Sequence, residues 1–467
     1  TFVGHDELEL GVWLDTTTAQ TGEYFKRCTE LYHVLVAGRN VKNTQPLQDL
    51  LPYEVVLAII CDEKLHARHL GTCTQFVNVA NSLYVDNEPH MTMARVRSMR
   101  IWDNVRAAAK SGKLSSRLVT TTFIVWSRFD ELKAFIQEFL TNHAVSQLST
   151  QMQVNRMSLQ LIKLLYSLVE MGFYTSTEVT RLLPTLLSSL DGTSDRVGLH
   201  SIEDPKERYK PIKTIRADTV SIMECKLWSC KVLQLVVTMR LDIRLSLVLA
   251  KYQQAWQSGR FGNRVKGKDI DGIGKAVQET IQTVDRFRRR SLGYMQLIDS
   301  NDAQEEEELD TTPDPQFKRV FDVLRLDADS PVDIVHVLLD LTFYDHHELV
   351  TMAMGLLVRH FEQRQVLTNL VRETRLLVKP GMVKMHARFD MVLRSLSTLS
   401  KRRRLFDDEP YHAPRLLSIL TMNCYEETEN LSAGAASQSG VSRAMSGHSR
   451  AMSGHSRALS GHSRAMS

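Results

Sequence analysis

The side chains of this sequence that could do chemistry fall into small groups, each to be weighed against what its chemistry demands. His66 and His69 stand at i and i+3, a spacing that puts two side chains on one helical face, and His346, His347 and Glu348 cluster at a turn. A zinc site needs three or four converging ligands, and neither group supplies them, so surface or core histidines are the better reading. Cys225 and Cys230 lie five apart in an apolar stretch and read as core thiols before a redox pair. Asp327, Asp329 and Asp333 offer spaced carboxylates, but the glycine and the bidentate glutamate of a Ca²⁺-binding loop are missing, and helix capping explains them better. Gly272, Gly274 and Lys275 lack the rest of a phosphate-loop spacing. No Ser/His/Asp grouping or nucleophile elbow stands out. These residues predict no enzyme, no cofactor and no metal.

Charge gives three further candidates. Arg240, Asp242 and Arg244 follow an apolar run and could form a polar hinge; a solvated helix end or a local ion pair is the expected reading. Arg288, Arg289, Arg290 and Ser291 make a basophilic-kinase pattern, so Ser291 is a candidate phosphorylation site, and Arg-x-x-Ser recurs at Ser446, Ser453, Ser460 and Ser467. Lys401 to Arg404 could meet anionic lipid or act as a nuclear signal, but a solvated helix terminus fits better.

Composition narrows the class. The 467 residues are 43% apolar, enough for a large core in about two to four domains. Lys plus Arg number 58 against 54 Asp plus Glu, a balance that argues against a nucleic-acid partner. Six irregularly placed cysteines predict no disulfide framework and suit a reducing compartment. No window is apolar enough to span a membrane: Val232 to Met239 is closed off by Lys231 and by Arg240. The chain starts at Thr1 and reads as a piece of something longer.

What positions these residues is a succession of helices. Ile334, Val337, Leu338 and Leu341 form one apolar stripe, with Ser330 and Pro331 as its expected start. After a break at Phe343 to His347, Leu349, Ala353, Leu356, Leu357 and Phe361 rebuild a stripe, and a third helix is expected from Val366 through Leu370 to Leu377. Further helices are expected over Glu23 to Val36, Tyr53 to Cys61, His66 to Ser82, Met91 to Ala109, Val119 to Asn142, Met157 to Met171, Ser176 to Leu190, Thr219 to Trp256 with breaks, and Val277 to Arg290. Strand-like alternation is scarce. The fold class predicted is all-α, an armadillo- or HEAT-like α-solenoid in which each hairpin packs on its neighbours.

The segments divide accordingly. Residues 1–22 are a partial leading segment, 23–190 a first helical block, 191–218 a loop rich in Gly, Pro and charge, and 219–257 a long helical segment. Residues 258–315 read as a charged, mobile linker with a possible helix, since the arginines around Phe287 are followed by the acidic run Glu305 to Glu308. Residues 316–426 form another helical block, and 427–467 a low-complexity tail whose seven-residue repeat holds one sizeable apolar side chain per unit and is expected to be disordered.

Four of these segments carry a resemblance. Ile334 to Gln365, reading IVHVLLDLTFYDHHELVTMAMGLLVRHFEQRQ, resembles the homology segment shared by inositol trisphosphate and ryanodine receptors, above all at Leu356, Leu357, Arg359, His360, Phe361, Gln363, Arg364 and Gln365. Cys61 to Leu65 with Tyr84 to Pro89 and Arg100 to Trp102, Met171 to Leu190 (MGFYTSTEVTRLLPTLLSSL), and Cys225 to Leu245, ending in MRLDIRL, are similar to the same family in the same order. The inositol trisphosphate receptor fits better than the ryanodine receptor because all four blocks stand at compatible separations. Two departures are His347 and Glu348, where the family commonly has a Pro pair, and the heptapeptide tail.

The resemblance implies a cytosolic piece of a homotetrameric Ca²⁺-release channel on the endoplasmic reticulum or an equivalent store. In such a channel inositol trisphosphate and Ca²⁺ are the ligands of the parent protein, bound outside this chain, and the pore lies elsewhere. The implied partners are other segments and subunits of the channel, together with regulatory proteins or kinases. The implied role is the helical arm that links ligand binding to the gate. The alternative from another class is a stand-alone armadillo-type adaptor or scaffold.

Overall fold

Apolar stripes at helical spacing do become helices. The computed structural model describes residues 10–88, 90, 92, 99–105, 127–143, 151–191, 217–257, 333–344, 346–401 and 412–419. The helices are α1 (Leu10–Thr16), α2 (Ala19–Val36), α3 (Val41–Leu50), α4 (Tyr53–Cys61), α5 (Glu63–Ala80), α6 (Asp130–His143), α7 (Met152–Glu170), α8 (Ser176–Leu190), α9 (Ala217–Gln257), α10 (Ile334–Leu341), α11 (His347–Glu373) and α12 (Pro380–Lys401). A π-turn at Asn81–Val85 prolongs α5, and two three-residue strands, β1 (Met99–Ile101) and β2 (Arg375–Leu377), pair in parallel with Arg100 opposite Leu376. The described residues are overwhelmingly helical, and the class is all-α.

The chain divides into two units, Thr1–Phe406 and Asp407–Ser467. In the second, residues 412–419 form a helix. All of the elements named above belong to the first.

Local chemistry explains where the helices begin and end. Asp62 separates α4 from α5 by accepting hydrogen bonds from the Lys64 and Leu65 amides, two of the donors that a helix start leaves without partners. Thr175 and Glu178 form a reciprocal capping box at the start of α8. Before it, Gly172 takes φ 78°, a left-handed conformation that suits glycine, and closes α7: the Gly172 amide bonds to Val169 O and the Phe173 amide to Leu168 O. The Gly-Phe-Tyr motif is thus a helix stop followed by two buried rings, Phe173 and Tyr174.

One core runs through the first unit. α5 and α7 pack together, α9 lies against α7, α8 and α11, and α10 packs on α8 and α11. The stripe of α10 is buried as its spacing predicts, at Ile334, Val337, Leu338 and Leu341. Arg39, itself in a left-handed conformation, lies inside this core and holds the YVDNEP segment by donating to Asp86 Oδ1 at 2.9 Å and to His90 O at 2.9 Å.

Several sequence expectations need correction. Helix α9 runs unbroken through 41 residues, because it is buried on nearly every side and its polar residues find partners instead of ending it. It starts at Ala217, inside the stretch expected to be a loop. The third helix expected from Val366 to Leu377 is the continuation of α11 to Glu373, since Glu362 to Gln365 are all good helix formers, and Leu377 belongs to β2. Within the helix expected over Met91 to Ala109, residues 99–104 are instead β1 and a short 3-10 turn, because β1 is captured by β2. Helix α10 opens on Asp333, which accepts from the Val335 amide at 2.9 Å, so Ser330 is not its cap. Phe361 leaves the apolar stripe and is 70% exposed, because the eight residues of α10 cover only the first part of α11. Residues 10–22, expected to be a leading segment, hold α1 and the start of α2, and α1 packs on α5. The expected helix over Val277 to Arg290, Asp327 and Asp329, the linker over 258–315 and the tail over 427–467 lie outside the described residues.

Candidate functional site

The most unusual chemistry lies midway along α9. Arg240, Asp242 and Arg244 are not at a solvated helix end; they are 3%, 3% and 6% exposed. An isolated charge is costly inside a protein, so such residues persist where other charges and polar groups face them. Asp242 is ion-paired with Arg100 of β1, itself buried. Burial draws the Arg100 guanidinium below its ordinary pKa, and the Asp242 carboxylate opposes that shift. Arg244 turns the other way and donates from Nη1 to Gln363 Oε1 of α11 at 2.9 Å.

The neighbouring turns extend this seam. Gln253, further along the helix, donates to the carbonyl of Trp102 at 2.9 Å, and the Trp102 ring meets Tyr252 edge-on with centroids 6.2 Å apart. Leu245, Leu249 and Tyr252 pack with Val105, Leu367 and Val371 in a second apolar cluster beside the polar residues. Toward the N-terminus of α9, Gln234 faces Arg359 of α11. In the amide orientation that satisfies both of its ends, Gln234 accepts from Nη1 at 3.2 Å and Nη2 at 3.3 Å. Side chains of α9 therefore join β1 and α11 across the same few turns.

A cleft of about 1110 Å³ opens beside this seam, lined by residues of α7, α9, α11 and α12 and by Thr92. Arg240 and Arg244 line it from α9 and Arg359 from α11, with Glu170 and Glu362 also on its walls. Tyr166, Val237 and Val358 are among its apolar residues.

The residues singled out in the sequence are sorted by this geometry. Leu356 and Leu357 are buried core residues; Arg359 and Gln363 meet α9; the His360 carbonyl accepts from Gln363 Nε2 at 2.7 Å; Gln365 donates to Asn369 at 3.2 Å on the outer face. Arg364 lies on α11, and the signature is therefore divided between core, seam and surface instead of converging on one point. Ser291 lies outside the described residues. His66 and His69 go to separate partners, the Ile60 carbonyl at 2.7 Å and Asp15 Oδ1 at 2.9 Å, and His346 caps α11 by accepting from the Leu349 amide at 3.2 Å. Among the described residues, no three His, Cys, Asp or Glu side chains are placed to share a metal ion. Nor is any described helix long and apolar enough to cross a membrane.

Among the described residues, four further buried cations were not among the candidates the sequence offered: Arg39, Arg100, Lys133 and Lys226. Lys226 is fully buried and its Nζ reaches the carbonyls of Ser189, Leu190 and Asp191 at 3.1, 3.0 and 3.3 Å. The ammonium thus satisfies the last carbonyls of α8, which no intrahelical donor can reach. A lysine flanked by apolar residues on both sides of a long helical run was the available signal.

No known protein-family model matches the chain.

Proposed function

We propose that this chain is a coupling arm of an inositol trisphosphate receptor-type Ca²⁺-release channel, an armadillo- or HEAT-like solenoid on the cytosolic face of the store membrane. On this reading it contains neither the ligand core nor the pore, catalyses no reaction, and works through contacts with other segments and subunits of a homotetramer. The observation that supports the reading most directly is the Arg244 to Gln363 hydrogen bond, which joins two of the four resembling segments, MRLDIRL and the signature helix. A helical stack suits the role because each layer touches only its neighbours and small rotations between layers add up along it.

The full-length transcript tests this directly. Several apolar spanning segments downstream, with a basic ligand-binding core upstream, are expected. A start codon near Thr1 and a stop after the tail would remove the channel and leave the adaptor reading. In a full-length channel, Arg244→Leu is expected to leave inositol trisphosphate binding unchanged and to reduce Ca²⁺ release; equal losses of both would sink the coupling role.

A further inference from the structure

We propose that α5 is a hinged helix and that α1 is the clasp that holds it bent. Inside α5 one residue leaves helical dihedrals: His69 takes φ −127° and ψ 37°, and the helix is kinked there. Of the ordinary causes of a kink, proline and a Gly/Ser pair are both absent from α5. The contact made at the bend comes from Asp15 of α1, whose carboxylate accepts from His69 Nε2 at 2.9 Å and is ion-paired with Arg68. α1 lies close against the same stretch: a Cβ on Gly11 would stand 3.4 Å from Leu65 Cδ2. The two arms of α5 are held unequally. From Thr72 to Ala80 all but Gln75 and Asn78 are buried, and Thr74 reaches Met157 of α7, whereas from Glu63 to His69 only Leu65 is buried. The first arm is the movable one, set between α1 and α6, where the His66 ring meets Phe135 and Phe139 with centroids 5.4 and 6.1 Å away.

Thr72 points to a second, straight state. Elsewhere in these helices threonine hydroxyls donate to the carbonyl four residues back, Thr29 to Phe25 at 3.0 Å, Thr74 to Leu70 at 2.8 Å and Thr180 to Ser176 at 2.8 Å. Thr72 is fully buried one turn past His69, and its hydroxyl has no partner. A straight α5 would bring the Arg68 carbonyl within its reach, so the bent state leaves unsatisfied a buried group that the straight state satisfies. Against this stands the Asp15 clasp, whose side chains are 35% exposed at Asp15 and 70% at Arg68. Exposed ion pairs contribute little, so the clasp tips a closely balanced equilibrium instead of locking it. Displacing α1 would straighten α5 and swing its first arm, and α4 with it, relative to α6.

Hydrogen exchange of the full 467-residue chain tests this at the amides of Leu70 to Cys73, whose helical acceptors, His66 to His69, lie before or at the bend. Asp15→Ala, at an exposed position, is expected to speed exchange in α1 and to slow it at least about twofold at Leu70 to Cys73, because α5 becomes continuous. Loss of an ordinary packing contact has the opposite sign, so faster or unchanged exchange at these four amides overturns the proposal. Thr72→Val fills the same space without the hydroxyl that favours the straight state. Asp15→Ala made in that background should retain less than about half of the slowing, and undiminished slowing would overturn the straight state proposed. Circular dichroism checks that each variant is folded. None of these readouts involves a channel, so the clasp stands or falls apart from the coupling role.

Discussion

Arg100 on β1 and Asp242 in the middle of α9 form an ion pair between residues 142 positions apart, with side chains only 9% and 4% exposed. The pair pins the short strand to the long helix at the point where α9 is most heavily charged. Each residue offsets part of the cost of burying the other.

Removing one partner is therefore expected to be worse than removing both. Asp242→Leu should cost about 3–5 kcal/mol, because it leaves a guanidinium buried without its carboxylate, whereas Arg100→Met with Asp242→Leu should recover more than half of that loss. Urea unfolding of the two variants decides it. A double variant no better than the single would show that the pair's value lies outside their mutual compensation.

Lys226 ties α9 to the end of α8. Lys226→Met keeps the aliphatic stem but leaves the carbonyls of Ser189, Leu190 and Asp191 without the ammonium, and a loss of about 2–3 kcal/mol is expected. Hydrogen exchange offers a local readout: amides in the last turn of α8 should exchange faster, while those near its capped start at Thr175 should not.

The start of α8 responds to acid. Burial raises the Glu178 carboxyl, but hydrogen bonds from Lys133 and from the Thr175 amide and hydroxyl outweigh it, and the folded pKa lies below the ordinary value. A depressed carboxylate contributes stability that is fully present above about pH 4.3 and is lost as the pH falls through the folded value. Glu178→Gln should flatten this acid-side loss in thermal melts taken from pH 5 down to pH 2.5. Thr175→Ala should cost about 1 kcal/mol at neutral pH.

The cysteines should label in two classes. Burial pushes the thiols of Cys73 and Cys230 up to about 12 and that of Cys61 to about 11, whereas Cys28 lies half-buried on α2. Since the thiolate is the reactive form, iodoacetamide at pH 8 should, among the described cysteines, modify Cys28 first and should reach Cys73 and Cys230 only on unfolding. Mass spectrometry of a time course checks the order, and early modification of Cys230 would contradict its placement.

Much of the fold was legible because burial and helical spacing coincide in these helices. Val179, Leu182, Leu183, Leu186, Leu187 and Leu190 all face the core of α8, and its bounds are those expected from the sequence. The polar seam was not legible for the opposite reason. Charge on a helix ordinarily marks a solvated face, and the partners that reverse this for Arg240, Asp242 and Arg244 come from elements remote in sequence. β1 and β2 were hidden likewise: three residues carry too little alternation to register, and the pairing exists only through tertiary contact. The cleft, which combines arginines from α9 and α11, follows from that same unreadable juxtaposition.

The pairing of Met99–Ile101 with Arg375–Leu377 also sets a timetable for synthesis. At about 5–20 residues per second, the ribosome needs some tens of seconds to travel from the first strand to the second. Throughout that interval the nascent chain carries β1 without β2, its partner strand among the described residues. Newly made protein is therefore most vulnerable to capture, by a chaperone or by another nascent copy, before β2 emerges.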